Sequence, residues 1–293
     1  MPAIPPKHTP KPAWLKRRLP TGKDYEAVRD MIRKGDLHTV CQEAKCPNQW
    51  ECFSQHTATF LILGSRCTRD CRFCAVAHGP AGPPDAGEPA RVADAAARMN
   101  LKYVVVTSVT RDDLPDGGAA HYARTIRALR ERIAGVHVEV LIPDFQGDGD
   151  ALNTVMAAGP DVLNHNLETV SRLYPRVRPQ AVYERSLKLL SRARDRNPGI
   201  ATKSGIMLGL GETDDEIMAT LKDLRVAHCR MLTLGQYLQP STAHLPVERY
   251  VPPEEFETLK TSALAMGFAQ VAAGPFVRSS YHAGELFEAG GSD

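Results

Sequence analysis

Short apolar runs alternate with amphipathic stretches along the chain from about residue 57 onward. The runs are rich in β-branched residues and each is followed by helical spacing of apolar positions, which is the pattern of βα units in a parallel sheet. We predict six strands, at residues 59–64, 102–109, 136–142, 161–167, 202–208 and 231–237. Their uneven spacing favours a partial, TIM-like (βα)6 barrel of the α/β class over a solenoid, with its chemistry on the loops after the strands.

Two of the intervening segments carry helix-end signals. Thr213 and Glu216 form a capping box that leads into Ile217 and Leu221 on one face. A second helix is predicted within residues 252–267, because two prolines open this segment and a glycine closes it. Both are expected to be ordinary crossover helices.

Composition and charge narrow the classes of function. The chain has 293 residues, 43% of them hydrophobic, and its 36 basic and 34 acidic residues give a formal charge of +2. This balance does not suit a dedicated nucleic-acid binder. Because no apolar run approaches a membrane span and the start lacks the apolar core of a secretory signal, we expect a cytoplasmic protein with reduced thiols.

The first 23 residues contain six Lys or Arg, six prolines and no acid. This charge pattern occurs in mitochondrial transit peptides, but the prolines disfavour the amphipathic helix that such peptides form. We expect an extended arm, and a more specific alternative is an arm that contacts an acidic partner or covers the active site.

Six of the seven cysteines fall into two triplets. Cys67, Cys71 and Cys74 have the spacing C-x3-C-x2-C directly after the first predicted strand, so one short loop presents three thiols. Three thiolates leave one iron of a 4Fe–4S cluster open to another ligand. A zinc loop or structural cysteines are the alternatives.

This spacing, with the aromatic Phe73 before the last cysteine, resembles the radical S-adenosylmethionine (SAM) superfamily. The resemblance implies that Cys67, Cys71 and Cys74 hold a 4Fe–4S cluster whose open iron is chelated by the amino and carboxylate groups of S-adenosylmethionine. It also implies that an electron from the cluster cleaves this cofactor to a 5′-deoxyadenosyl radical.

The second triplet, Cys41, Cys46 and Cys52, is spaced C-x4-C-x5-C in an N-terminal extension that is too short to fold alone without a staple. Zinc sites favour C-x2-C pairs and four ligands, and neither triplet has a fourth cysteine or a suitably spaced histidine. Together the two triplets closely resemble the lipoyl synthase family. The resemblance implies that the second triplet holds an auxiliary 4Fe–4S cluster and that Ser280, in the Arg-Ser-Ser-Tyr segment 278–281, is its oxygen ligand. A hard oxygen beside three soft thiolates suits a cluster that is taken apart.

The resemblance extends over nearly all of the chain. Matching segments lie at residues 11–15, 43–48, 107–109, 111–118, 164–169 and 203–212. The predicted contacts to S-adenosylmethionine in these segments are Thr107, Ser108, Arg111, Asn164, Asn166, Glu168 and Lys203.

Some of these segments have simpler interpretations. Residues 116–118, Asp-Gly-Gly, bring backbone amides near a ligand or form a simple turn. Asn164, Asn166 and Glu168 alternate along the fourth predicted strand and share one face, which fits contacts to a ribose but also a buried hydrogen-bond network. Cys229 belongs to neither triplet and is expected to be a buried thiol.

The family resemblance implies a sulfurtransferase that inserts sulfur at carbons 6 and 8 of an octanoyl chain on a carrier lysine, with sulfur supplied by the auxiliary cluster. Unactivated C–H bonds are beyond side-chain acids and bases, so such a reaction needs a cofactor-derived radical. The implied partners are octanoylated lipoyl domains of 2-oxo-acid dehydrogenase E2 subunits, the glycine-cleavage carrier protein, an electron donor such as flavodoxin or ferredoxin, and a cluster carrier for repair. Neither nucleic acid nor a membrane is expected. The alternatives are a methylthiotransferase or biotin-synthase-like radical enzyme and, outside enzymes, a zinc-stabilised interaction module.

These observations divide the chain into three predicted parts. Residues 1–56 form an extension with the auxiliary triplet, residues 57–270 form the barrel, and residues 271–293 form an extension with Ser280. Both extensions are expected to fold back onto the barrel mouth.

Overall fold

A computed structural model of the chain describes residues 10–16 and 23–289. The strands of this part are β1 (His38–Thr39), β2 (Thr59–Ile62), β3 (Tyr103–Ser108), β4 (His137–Leu141), β5 (Val162–Asn164), β6 (Ala201–Leu208), β7 (Met231–Gln236) and β8 (Gln270–Gly274). Its α-helices are α1 (Lys23–Lys34), α2 (Val40–Glu43), α3 (Gln49–Ser54), α4 (Glu88–Arg98), α5 (Ala119–Arg132), α6 (Gly149–Ala157), α7 (Tyr174–Val177), α8 (Tyr183–Arg196), α9 (Asp214–Val226), α10 (Pro253–Ala265) and α11 (Ala283–Glu288). Short 3-10 helices cover Ala13–Leu15, Phe145–Gly147 and Ser171–Leu173. Most of the predicted N-terminal arm lies outside the described residues.

The strands form one sheet in the order β1 to β8. β1 pairs antiparallel with β2, and each later neighbour pair from β2–β3 to β7–β8 is parallel. Since α-helices connect each parallel strand to the next, the sheet is a series of βα units. Within the described residues β8 does not pair back to β1, so the sheet is open, which agrees with the predicted partial barrel.

All six predicted strands are present as β2 to β7, and five of them agree with the prediction to within two residues at each end. The exception is β5, which ends at Asn164 instead of residue 167. There the N–H of Leu167 donates to Ser204 Oγ at 3.2 Å, and Glu168 adopts a φ of 67° before it bridges Ile206. A side-chain contact therefore interrupts the ladder that alternation predicts.

β1 and β8 are strands that the sequence pattern missed. β1 has two residues, and β8 reads Gln-Val-Ala-Ala-Gly, with one β-branched residue in five. β8 also spans the boundary predicted between residues 270 and 271, because it adds a parallel strand beside β7. The sheet thus continues into the predicted C-terminal extension.

The predicted helix ends are confirmed at α9. Thr213 Oγ1 accepts a hydrogen bond from the Glu216 N–H at 3.3 Å, and Glu216 Oε2 accepts one from the Thr213 N–H at 2.9 Å. Ile217 and Leu221 are fully buried, as the apolar stripe requires. None of the helices in the described part of the chain has the length and hydropathy of a membrane span.

The N-terminal extension forms a small helical layer at the β1 edge of the sheet. Tyr25 of α1 stacks on Trp50 of α3 with ring centroids 4.3 Å apart, and Val28 and Ile32 are buried beneath them. The antiparallel pairing of β1 with β2 joins this layer to the barrel. The extension therefore has its own apolar contacts, which position the first cysteine triplet.

Candidate active site

A cavity of about 540 Å³ lies at the carboxyl ends of the parallel strands and continues into the barrel interior. Its lining includes the seven candidate metal ligands, which come from three distant parts of the chain: Cys41, Cys46, Cys52, Cys67, Cys71, Cys74 and Ser280. The structure therefore brings both cysteine triplets and the C-terminal serine into one space.

The C-x3-C-x2-C loop follows β2 and is tied to its neighbours through its backbone. Cys67 pairs with His78 in a parallel bridge, and the N–H of Thr68 donates to the Thr110 carbonyl at 3.0 Å. The N–H of Thr110 lies 3.3 Å from Cys67 Sγ. These bonds fix the loop to the chain that follows β3.

The first triplet is held by two short helices. Cys41 lies in α2 and Cys52 in α3, while the N–H of Cys46, between them, donates to the Cys41 carbonyl at 3.0 Å. Lys45 has a φ of 51°, which turns the chain sharply before Cys46. Thr39 caps α2, because its side chain accepts a hydrogen bond from the Gln42 N–H.

The C-terminal segment, residues 276–281, enters the barrel interior. Thr59 Oγ1 donates to Ser280 Oγ at 2.7 Å, and Asn166 Nδ2 donates to Ser279 Oγ at 2.6 Å. Ser280 thus lies beside β2 and Ser279 beside the chain that leaves β5.

The same segment also contacts the N-terminal extension. Asn48 Nδ2 donates to the Phe276 carbonyl at 2.7 Å, and the Tyr281 hydroxyl donates to Glu51 Oε1 at 2.7 Å. Segment 276–281 therefore bridges the first cysteine triplet and the barrel, as the folding back of both extensions requires.

Two glycines allow this close approach. A Cβ at Gly205 would lie 2.5 Å from Thr233 Oγ1 and 3.2 Å from Ser279 Oγ. A Cβ at Gly235 would collide with the Val277 carbonyl oxygen. The glycines in β6 and β7 therefore admit the C-terminal segment into the barrel.

The thiols lie in surroundings that disfavour free thiolates. Desolvation raises the pKa of the Cys41 thiol to about 12, helped by the neighbouring Cys46, and it raises the pKa of Cys74 to about 12 as well. It also raises the pKa of Cys71. Without metal these thiols are protonated at neutral pH, and binding of iron would displace their protons.

The donor set fits iron–sulfur clusters better than single ions. In the described residues no three His, Cys, Asp or Glu side chains are grouped closely enough to hold one metal ion. The thiols of each triplet are spaced along the cavity wall, and in a multi-iron cluster each thiolate binds a different iron. In the same wall the buried Asn166 Oδ1 has no hydrogen-bond partner, which suits a ligand with donor groups.

Four of the predicted cofactor contacts line the cavity: Thr107, Ser108, Asn166 and Glu168. Desolvation raises the pKa of the Glu168 carboxyl, although the Arg178 guanidinium opposes the shift. Asn166 Nδ2 donates to Glu168 Oε1 at 2.9 Å, so the two side chains form one polar patch in the wall.

The structure places Arg111, Asn164 and Lys203 outside the cavity wall. Arg111 Nε and Nη2 donate to the Asp113 carboxylate at 2.8 and 2.7 Å. Lys203 Nζ lies 3.0 Å from both carboxylate oxygens of Glu139, and Asn164 Nδ2 donates to one of them at 2.9 Å. For Asn164 this is the buried hydrogen-bond network that alternation along the strand left open.

Arg178 lines the cavity and was missed by the sequence reasoning. Its Nη1 donates to the carbonyls of Asn166 and Leu167 at 2.9 and 3.1 Å, and its charge acts on both Cys71 and Glu168. Residues 171–180 contain three arginines, and nothing in the sequence pattern distinguishes Arg178 as the one whose side chain faces the cavity.

Sequence comparisons place known proteins beside this geometry. The sequence model of the Radical SAM superfamily matches residues 61–224, and that of the N-terminal domain of lipoyl synthase of the same family matches residues 6–46. A lipoyl synthase of Desulfotalea psychrophila is 57% identical over 277 residues, which cover 94% of this chain and 93% of the relative. A lipoyl synthase of Thermus thermophilus is 58% identical over 279 residues, which cover 94% and 86%.

Solved structures share the fold at low identity. Methylornithine synthase aligns with a TM-score of 0.53 at 13% identity, over 84% of this chain and 81% of that one. HydG, a maturase of the FeFe-hydrogenase, aligns with a TM-score of 0.56 at 16% identity, over 85% and 67%. At such identities the likeness concerns the fold alone.

Proposed function

The chain belongs to the lipoyl synthase family of the radical SAM superfamily, and on this premise we propose that it inserts two sulfur atoms into an octanoyl chain on a lipoyl-domain lysine. The observation that carries the proposal is the single cavity that joins both cysteine triplets and Ser280. Radical generation and sulfur donation require two metal sites that reach one substrate chain, and a shared cavity meets that requirement.

We assign the radical-generating 4Fe–4S cluster to Cys67, Cys71 and Cys74. With S-adenosylmethionine bound, this cluster would supply the carbon-centred radical that breaks unactivated C–H bonds. The chain itself fixes the three thiols on a loop whose backbone is bonded to neighbouring loops, such as the Thr68 N–H to the Thr110 carbonyl. It also encloses them in a wall that limits access of water.

We assign a second 4Fe–4S cluster, the sulfur source, to Cys41, Cys46, Cys52 and Ser280. The cluster is a substrate in this role, because its sulfide ends in the product. Thr59 Oγ1 donates to Ser280 Oγ, which orients the hydroxyl oxygen, occupies one of its lone pairs and leaves the other for iron. An oxygen ligand among three thiolates gives the weakest bond of the set, which favours release of that iron.

We propose that Thr107, Ser108, Asn166 and Glu168 contact S-adenosylmethionine, since they line the cavity. A carboxylate and an amide are suitable partners for ribose hydroxyl groups. Arg111, Asn164 and Lys203 would support these contacts from outside the wall, through the ion pairs and hydrogen bonds described above.

The proposed carriers are the octanoylated lipoyl domains of 2-oxo-acid dehydrogenase E2 subunits and the glycine-cleavage carrier protein. Flavodoxin or ferredoxin would deliver electrons, and a cluster carrier would rebuild the sulfur source. We place the protein in the cytoplasm, where its thiols stay reduced. We also propose three functional parts. Residues 57–270 would hold the radical-generating cluster, whereas residues 1–56 and 271–293 would together hold the second cluster.

Two cysteine substitutions test the assignment of roles. Cys41→Ala is expected to leave reductive cleavage of S-adenosylmethionine intact and to stop sulfur insertion, whereas Cys67→Ala stops both. The measurements are release of 5′-deoxyadenosine and formation of lipoyl product on an octanoyl-lysyl carrier, under anaerobic conditions. Cys229→Ala is the matched control, because this thiol is fully buried outside the cavity and both activities should persist.

Iron analysis gives an independent check. Two clusters correspond to about eight iron atoms per reconstituted chain, and each cysteine triplet should account for about half of them. Lipoyl product from the Cys41→Ala variant at the rate of the control would exclude the sulfur-donor role. One or two zinc ions in place of iron would exclude the proposed function altogether.

A further inference from the structure

Arg69 lies at the middle of the C-x3-C-x2-C loop and is only 5% exposed. Its Nε and Nη2 donate to the two oxygens of Asp112 at 2.6 and 2.9 Å, and Nη2 also donates to Asp144 Oδ1 at 2.6 Å. One guanidinium group therefore binds two carboxylates, and the pairing with Asp112 has the bidentate form that arginine favours.

The two carboxylates come from different strand ends. Asp112 follows β3, and Asp144 follows β4, where its side chain also caps the 3-10 helix Phe145–Gly147. The Asp144 side chain is fully buried and receives a second cation, Arg185 Nη1 of α8, at 3.3 Å. Arg69 thus joins the cysteine loop to two neighbouring strands and, through Asp144, to a helix.

The desolvation cost of burying Arg69 and Asp144 suggests that this ion pair has a role beyond stability. Burial costs a guanidinium group its hydrogen bonds to water, so a buried arginine needs carboxylates that replace those bonds. An apolar side chain of similar size would avoid this cost. Asp144 has the same requirement. A fork with fixed geometry, unlike an apolar contact, permits one arrangement of the loop relative to the strand ends.

We propose that Arg69 is a positioning residue that fixes the Cys67 to Cys74 loop on the ends of β3 and β4, so that its three thiols have one arrangement before iron binds. The inference rests on the proposed assignment of these cysteines to the radical-generating cluster. The N–H and the hydroxyl of Thr68 both donate to the Thr110 carbonyl and hold the start of the loop to the chain after β3. Arg69 adds the only side-chain fork between the first two cysteines, since Thr68 and Asp70 carry no guanidinium group.

A role as a direct anion-binding group is less consistent with the geometry. Two carboxylates already balance the charge of Arg69, and both of its contacts are shorter than 3 Å at their closest points. The side chain therefore acts through the loop that carries it.

The test compares Arg69→Lys and Asp112→Asn in a full-length chain whose first triplet is replaced by alanine, so that bound iron belongs to the second triplet. Arg69→Lys keeps the charge but loses the fork, and Asp112→Asn keeps Arg69 with one carboxylate. Arg130→Gln is the matched control, because this arginine also pairs with an aspartate, Asp161, but next to the amino ends of the strands. Each chain is reconstituted anaerobically, and three quantities are measured: the rate of iron loss to a ferrous chelator, the electron paramagnetic resonance spectrum with and without S-adenosylmethionine, and the urea midpoint.

Arg69→Lys is expected to lose iron roughly tenfold faster than Arg130→Gln and to show a smaller spectral change with S-adenosylmethionine, under conditions in which the urea midpoint shows that both variants are folded. The rate of iron loss and the spectral change of Asp112→Asn should lie between those of Arg69→Lys and those of the unsubstituted background. If Arg69→Lys fails to fold, Asp112→Asn alone tests the inference. Iron loss and spectra unchanged in the variant that folds would overturn the inference alone, as would changes matched by Arg130→Gln. A background chain that binds no reducible cluster would overturn the proposed function, and the inference with it.

Discussion

A buried ion pair with two hydrogen-bond donors lies inside the barrel. Lys203 and Glu139 form a fully buried ion pair, and Tyr103 and Asn164 donate to the same carboxylate at 2.7 and 2.9 Å. Three side chains, from β3, β5 and β6, therefore meet at the carboxylate of Glu139 in β4. This pairing makes each member depend on the others, because any one removed leaves a buried polar group without its partner.

Lys203→Met is expected to lower the free energy of unfolding by about 3–5 kcal/mol, because it leaves the Glu139 carboxylate buried without its cation. Urea unfolding at neutral pH measures the loss. The double variant Lys203→Met/Glu139→Leu should recover only part of it, since neither charge then remains buried but Tyr103 and Asn164 lose their acceptor. Lys222→Met, at an exposed position on α9, is the control and should change stability by less than about 0.5 kcal/mol. A loss below about 1 kcal/mol for Lys203→Met would contradict the argument.

Ser280 offers a prediction about the kind of ligand. Ser280→Cys is expected to keep iron at the first triplet but to slow sulfur insertion roughly tenfold, because a fourth thiolate binds iron more firmly than an oxygen. Ser280→Ala should bind less iron there. Single-turnover formation of lipoyl product, with iron content, distinguishes the two, and Ser262→Ala on α10 is the control. Equal rates for Ser280→Cys and the unsubstituted chain would exclude a ligand role for the serine oxygen.

The residue-level predictions had a specific limit. Alternation along a strand predicts which face Asn164 and Lys203 occupy, but it does not predict their depth in the barrel. Both point inward, and they lie at the Glu139 carboxylate instead of at the cavity wall. The contact between Ser280 and Thr59 spans 221 residues, and no local spacing contains it. Family resemblance predicted the ligand roles of Ser280 and of the first triplet, whereas the spacing of Cys67, Cys71 and Cys74 by itself indicates a metal-binding loop.

At the scale of elements, the chain after β5 is held to helix α8 by one imidazole. His165 Nδ1 donates to the Ile142 carbonyl at 2.8 Å, and Nε2 accepts from Ser186 Oγ of α8 at 2.9 Å. A neutral ring protonated at Nδ1 makes both bonds, because the serine hydroxyl can donate to the unprotonated Nε2. Burial lowers the pKa of His165 from 6.5 to about 4, and the nearby Arg178 acts in the same direction.

This shift gives a pH dependence with a definite sign. Below pH 6.5 the unfolded chain binds a proton at His165 that the folded chain binds only near pH 4, so stability falls as the pH falls through this window, by about 3 kcal/mol in all. Above pH 6.5 both states are neutral and the contribution is constant. His165→Gln should reduce the pH dependence of the free energy of unfolding between neutral pH and about 4, measured by urea unfolding of the iron-free chain. His56→Gln, at a half-exposed position, is the control and should leave this pH dependence unchanged. The same pH dependence of the free energy of unfolding in His165→Gln and in the unsubstituted chain would contradict the prediction.

Elements were predicted where the chain carries β-branched residues and missed where it does not. β3 reads Tyr-Val-Val-Val-Thr-Ser and was found, whereas β8 has two alanines and a glycine and depends on its pairing with β7. The premature end of β5 depends on Ser204 of β6, a contact that the periodicity of one strand does not include.

For the whole molecule, the first triplet and the C-terminal segment stabilise each other. Asn48 bonds to the Phe276 carbonyl, and Tyr281 bonds to Glu51. An iron–sulfur cluster held by Cys41, Cys46, Cys52 and Ser280 would add a covalent link between these two parts.

Removal of iron is therefore expected to loosen both parts together. Limited proteolysis within residues 40–56 and 276–289 should become roughly tenfold faster after chelation, while cleavage within the barrel strands changes little. The Cys67→Ala chain is the control, since it would lack only the proposed radical-generating cluster and both parts should remain protected. Equal cleavage with and without iron would show that the hydrogen bonds alone suffice.

The path of segment 276–281 also sets an order of events during translation. A ribosome completes the barrel strands and both sets of thiols before it adds Tyr281, whose partner Glu51 was synthesised 230 residues earlier. Domains fold as they emerge, N-terminal parts first, so the nascent barrel exists for a time with its interior not yet filled by this segment. If iron loading requires Ser280, it is a late step of biogenesis, because this serine is synthesised after both cysteine triplets.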